Sequence, residues 1–210
     1  MKIEVTNLSK KFKNNLAVKN VNISFQDGKI YGIIGNNGSG KSVFLKMLCA
    51  FYIPTSGIIL QDGVNYIKDN LFPKDTRALI ESPNFIPELT GFENLKLLAY
   101  IQNKISDKEI LETLKVVNLF NEKDKKYKEY SLGMKQKLGI AQALMENPHV
   151  IILDEPFNGI DDESVIKIKK RLINIKRNKI IIITSHIKTD IIELSDEIYV
   201  FKNGELSEYK

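Results

Sequence analysis

The sequence predicts an α/β chain with a mostly parallel sheet, an N-terminal antiparallel β subdomain and an inserted helical lobe. Three observations predict it. Apolar runs at residues 30–34, 150–153 and 180–184 are separated by segments of helical period, the pattern of parallel strands covered on both faces. Residues 83–147 carry helical period and no strand pattern. The first third reads as short strands and turns. Segments 1–82 and 148–210 are therefore expected to form one core, with 83–147 as a lobe inserted between them.

The elements follow in order. Val21, Ile23 and Phe25 alternate with Asn22 and Ser24, a half-buried strand, and residues 26–29 read as a hairpin turn into the apolar strand 30–34. Residues 39–50 suit a helix with Val43, Phe44, Met47 and Leu48 on its apolar side. Short strands are expected at 58–60 and 78–80. Thr90 with Glu93, and Ser106 with Glu109, have capping-box spacing and open two helices. A third lobe helix runs from about 132 to 146 and stops before Pro148. Strand 150–153, a helix marked by Val165, Ile168, Leu172 and Ile175, strand 180–184, strand 198–201 and a turn at Asn203-Gly204 complete the chain.

Composition narrows the function. The chain has 210 residues, 43% apolar and 27% charged, which suits one folded domain and excludes disorder or coiled coil. One cysteine, Cys49, makes no internal disulfide, and one Cys with two His builds no soft-metal cluster. No apolar stretch approaches the roughly 20 residues of a spanning helix, and the start carries no apolar leader, so the expectation is a chain that neither crosses a membrane nor is exported by the usual route. The net charge of +5 is lysine excess, with Arg77, Arg171 and Arg177 the only arginines; solvated helix faces explain it, and no nucleic-acid partner is expected.

Residues 35–42, Gly35-Asn36-Asn37-Gly38-Ser39-Gly40-Lys41-Ser42, fit G-x-x-x-x-G-K-[ST] between a strand and a helix, the context of a P-loop NTPase core. Glycines let successive N–H groups turn inward to an anion, and the helix N-terminus adds its dipole. Lys41 supplies a charge for β and γ phosphates and Ser42 a hydroxyl for Mg²⁺; with Val43, these residues are the candidate nucleotide contacts. The strand at 150–153 ends in Asp154-Glu155, which should face the same crevice. Asp154 is read as holding Mg²⁺ and Glu155 as polarising the attacking water. His186 follows the neighbouring strand, near the γ-phosphate position.

Tyr130-Ser131-Leu132-Gly133-Met134 resembles the L-S-G-G-Q signature of ATP-binding cassette (ABC) ATPases, with Ser131 and Gly133 matching. Asn158-Gly159-Ile160-Asp161 resembles that family's D-loop, and the order of motifs matches along the whole chain. The resemblance implies that Phe12 stacks adenine, that His186 is the switch histidine, and that ATP with Mg²⁺ is held between residues 35–42 of one cassette and Ser131 and Gly133 of a second, identical or related. Glu81 stands where most members have a Gln that reaches Mg²⁺. That Glu, with residues 85–95, resembles the bacitracin and lantibiotic export branch. The implied function is the ATPase subunit of a transporter, an exporter, bound at the cytoplasmic membrane face to a separate permease, with Phe85, Ile86 or Phe92 suited to docking. The alternative is a soluble ABC ATPase acting on ribosomes or DNA. A GTPase is disfavoured by the lack of a suitably placed N-K-x-D.

Overall fold

The computed structural model describes residues 1–209. Its strands fall into two sheets. In the smaller, β1 (Lys2–Phe12) lies between β2 (Asn15–Gln26) and β4 (Ser56–Gln61), antiparallel to both. The larger comprises β3 (Lys29–Ile34), β5 (Thr76–Leu79), β6 (Val150–Asp154), β7 (Ile180–Ser185), β8 (Glu197–Lys202) and β9 (Glu205–Glu208). Its order is β5-β6-β7-β3-β8-β9, parallel except for β9, which returns antiparallel to β8 through Asn203-Gly204.

The expected hairpin at residues 26–29 is corrected. The turn is there, but β2 and β3 belong to different sheets. β3 is buried along nearly its whole length, so both its faces need cover, and it pairs with β7 and β8 instead.

Helix α1 (Lys41–Leu48) follows β3 directly. The segment between β5 and β6 holds α2 (Gly91–Gln102), α3 (Asp107–Val116) and α4 (Leu132–Leu144). Both capping boxes form, at Thr90/Glu93 and Ser106/Glu109, each satisfying otherwise orphaned N–H groups. Helices α5 (Asp162–Ile175) and α6 (Lys188–Ile192) flank β7 in sequence.

The large sheet separates two apolar clusters, and alternate strand residues serve each. Ile30, Ile151, Leu153, Ile181 and Ile183 pack with Leu95, Leu114 and Leu138 of α2–α4 and with Ile168 and Leu172 of α5. Tyr31, Ile33, Val150, Ile152, Ile180 and Ile182 pack with Phe44 and Leu45 of α1 and with Ile3, Val5 and Phe25 of the small sheet. Covered on both faces, the sheet leaves the carboxyl ends of β3, β6 and β7 as its adjacent polar edge.

Candidate functional site

The loop at residues 35–40 leaves β3 and enters α1. Two glycines there are forced by close approach. A Cβ at Gly40, whose φ is 113°, would lie 2.4 Å from the Ala17 carbonyl oxygen; one at Gly35 would lie 2.5 Å from that of Phe201. The loop is thus wedged between β2 and β8. The turn after β8 closes the wedge, with the Gly204 N–H donating to Ser39 O (2.9 Å) and its carbonyl accepting from the Lys19 N–H (2.7 Å).

The loop floors a cavity of about 710 Å³ lined by residues 36–43, by Phe12, Leu16 and Ala17, by Glu155, and by Asn203 and Gly204. Phe12 stands at one side, edge-on to Tyr52 with ring centroids 5.4 Å apart. The Lys41 ammonium is buried; it donates to Gly35 O (2.6 Å) and Asn36 O (3.2 Å) and lies 3.3 Å from Glu155 Oε1. Ser42 Oγ donates to Asp154 Oδ2 at 2.5 Å.

Glu155 caps the end of β6 with a left-handed backbone, φ 47°, which a non-glycine residue adopts only when held. Its N–H donates to Thr184 O (3.2 Å) and Thr184 Oγ1 (3.1 Å). Its carboxylate accepts from the His186 N–H (3.1 Å) and lies 2.8 Å from His186 Nδ1. Strand order explains the meeting, since β7 runs between β6 and β3 and delivers His186 between the acidic pair and the loop.

Three predicted residues lie elsewhere. Ser131 caps α4, accepting from the Met134 N–H at 3.2 Å. A Cβ at Gly133 would sit 2.3 Å from Gly159 O, so α4 rests on the segment after Glu155. Neither Ser131 nor Gly133 lines the cavity of its own loop. Glu81, with φ 62°, is exposed and ion-paired with Lys46 of α1. Phe85 packs edge-on to Tyr127 (5.3 Å), Phe92 is partly buried against the core, and Ile86 is exposed.

Sequence reasoning missed several contacts. Gln136 Nε2 donates to the carbonyls of Glu155 (3.2 Å) and Pro156 (3.3 Å). Lys137, almost wholly buried, reaches Asp161 Oδ2 at 3.1 Å. Asp161 caps α5, and the Ser164 N–H and hydroxyl that it accepts, with Lys137 beside it, hold its carboxyl down to about 2. A lysine and an aspartate 24 residues apart give no sequence signal, and neither does the hydroxyl of Thr184 at the end of an aliphatic run.

A family model described as ABC transporter matches residues 18–158. The bacitracin transport ATP-binding protein BcrA of Enterococcus faecalis is 39% identical over 98% of this chain and 68% of its own length. The lantibiotic transport ATP-binding protein SrtF of Streptococcus pyogenes is 33% identical over 97% of this chain and 88% of its own. A solved dimeric ATP-binding cassette in a post-hydrolysis state, bound to ADP and Pi, superimposes with a TM-score of 0.86 at 25% identity, covering 99% of each chain.

Proposed function

The chain belongs to the ABC transporter family as an ATP-binding, ATP-hydrolysing subunit, and from that premise we infer that it drives export by closing on a second cassette around nucleotide. The observation that carries this reading is Glu155, held in the cavity of the phosphate loop between Lys41 and His186. In this reading Lys41 gives up the carbonyls of Gly35 and Asn36 to hold the β and γ phosphates of ATP. Phe12 stacks on the adenine. Glu155 takes the proton of the attacking water, and His186 keeps that carboxylate aimed.

The Ser42 hydroxyl and the Asp154 carboxylate, in contact, are hard oxygen donors of the kind Mg²⁺ accepts beside phosphate and water. They would hold the ion, which when bound neutralises phosphate charge; Glu81 would have to leave Lys46 to join them. Ser131 and the N–H groups opening α4 offer a dipole and donors to an anion, and because they lie off their own cavity that anion belongs to the opposite cassette.

Among the described residues no helix is long and apolar enough to cross a membrane; the names of the transport ATP-binding relatives support a permease partner, which would place the cassette at the cytoplasmic membrane face. A groove of about 650 Å³ lined by Phe51, Phe72, Arg77 and Gln102 suits its docking, with the exposed Ile86 and Ile101 nearby in sequence. The names of BcrA and SrtF support a peptide-antibiotic cargo. The test is Glu155→Gln: it is expected to bind MgATP, turn over at a small fraction of the wild-type rate and elute as a dimer, alone or with a cognate cassette. Only monomer under all these conditions refutes the sandwich.

A further inference from the structure

We propose that Thr184 is a positioning residue of the hydrolytic site, its hydroxyl fixing at once the Asp154 carboxylate and the turn that aims Glu155; this rests on the roles of Asp154 and Glu155 given above. Thr184 is wholly buried, on the strand between the loop strand and the acidic strand, in register with Ile33 on one side and Asp154 on the other. The four strand residues before it are isoleucines. A hydroxyl placed there costs stability unless every bond it can make is made.

It makes both kinds. It donates to Asp154 Oδ1 at 2.5 Å and accepts the Glu155 N–H at 3.1 Å. A hydroxyl has one proton; with that proton on Asp154, the oxygen faces Glu155 only as an acceptor. The other Asp154 oxygen takes the Ser42 hydroxyl. A continuous chain therefore runs from the phosphate loop through Ser42, Asp154 and Thr184 to the backbone of Glu155. Its last link clamps a left-handed, non-glycine residue. Removing the hydroxyl orphans a buried carboxylate oxygen and leaves the strained turn to the Thr184 carbonyl alone, 3.2 Å away.

The test compares Thr184→Val, which keeps the shape, Thr184→Ala, which removes the hydroxyl in a smaller side chain, and Thr184→Ser, which keeps the hydroxyl, in the full chain with any cognate cassette. A fluorescent ATP analogue measures binding with EDTA and across a Mg²⁺ titration; phosphate release measures kcat. Thr184→Val is expected to bind as wild type in EDTA, to need severalfold more Mg²⁺ for half-maximal effect, and to lose about tenfold or more in kcat; Thr184→Ser is expected near wild type in all three. Wild-type kcat and Mg²⁺ dependence in Thr184→Val overturn the proposal, as does Thr184→Ser failing equally. If Val and Ala variants both fail to fold, the hydroxyl serves stability alone and the proposal is likewise overturned. Glu155→Gln, assayed alongside, separates the two claims. If it is dead while the Thr184 variants are indifferent, only the positioning claim falls. If it turns over normally, the general-base reading falls and takes this one with it.

Discussion

Replacing Gly133 by Ala tests how tightly α4 sits on the segment that follows Glu155. The added methyl would be 2.3 Å from Gly159 O, with Ile160 Cα behind it at 3.9 Å. Restoring ordinary contact, about 3.4 Å, demands a shift of about 1 Å. The obstacle is backbone, so no side chain can swing away. Overpacking of this kind costs about 1–3 kcal/mol. Against it stands the gain from Ala over Gly in a helix, at most about 1 kcal/mol and less in the first turn. The overpacking wins, by about 1–2 kcal/mol, which lowers the melting midpoint of a chain this size by about 2–8 °C. Because Gln136 of the same helix holds the Glu155 carbonyl, ATP turnover should fall with it. Thermal melting and phosphate release on one preparation read both effects. A midpoint at or above wild type with unchanged turnover would show that the approach relaxes freely and would refute the reasoning.

Two further outcomes are expected. Asp161 titrates near 2, below its ordinary 3.8, so its contribution to stability is complete above about pH 4 and is lost as pH falls through 2; Asp161→Asn should lower the denaturation midpoint at neutral pH and flatten the acid limb, and an acid limb identical to wild type would count against the Ser164 and Lys137 contacts. Glu81→Ala frees Lys46 and removes a candidate metal ligand outright, whereas a Gln would keep a side-chain oxygen for the ion; half-maximal ATPase activity should then need several times more Mg²⁺, and an unchanged Mg²⁺ dependence would remove Glu81 from the metal site.

Much of the fold was legible because the central strands read as apolar runs and the capping boxes sit at the helix starts. The first strand was not. Its period breaks where Asn7 turns left-handed and the register slips between Val5 and Leu8, so no alternation survives to be read. The connection at residues 26–29 misled for a different reason: a two-residue turn says nothing about which sheet the next strand joins, and burial on both faces decided it. In the site, the loop, the acidic pair and His186 were readable because each follows a strand that the topology makes neighbours. Thr184, Gln136 and Lys137 were not, because a threonine in a strand or a lysine on a helix is ordinary until the fold shows what it touches. Helix α6, five residues long, is too short to carry a period.

The two apolar clusters give the central sheet a ledger with separate columns. Ile151 and Ile152 are adjacent in the chain and chemically identical, yet one leans towards the signature-bearing helices and the other towards the helix behind the phosphate loop. Trimming a methyl from the first should loosen the half proposed above to meet an opposite cassette; trimming the second should loosen the half proposed to grip triphosphate. Neighbouring positions on one strand thus offer independent dials on grip and closure, a separation that a core shared in common would deny.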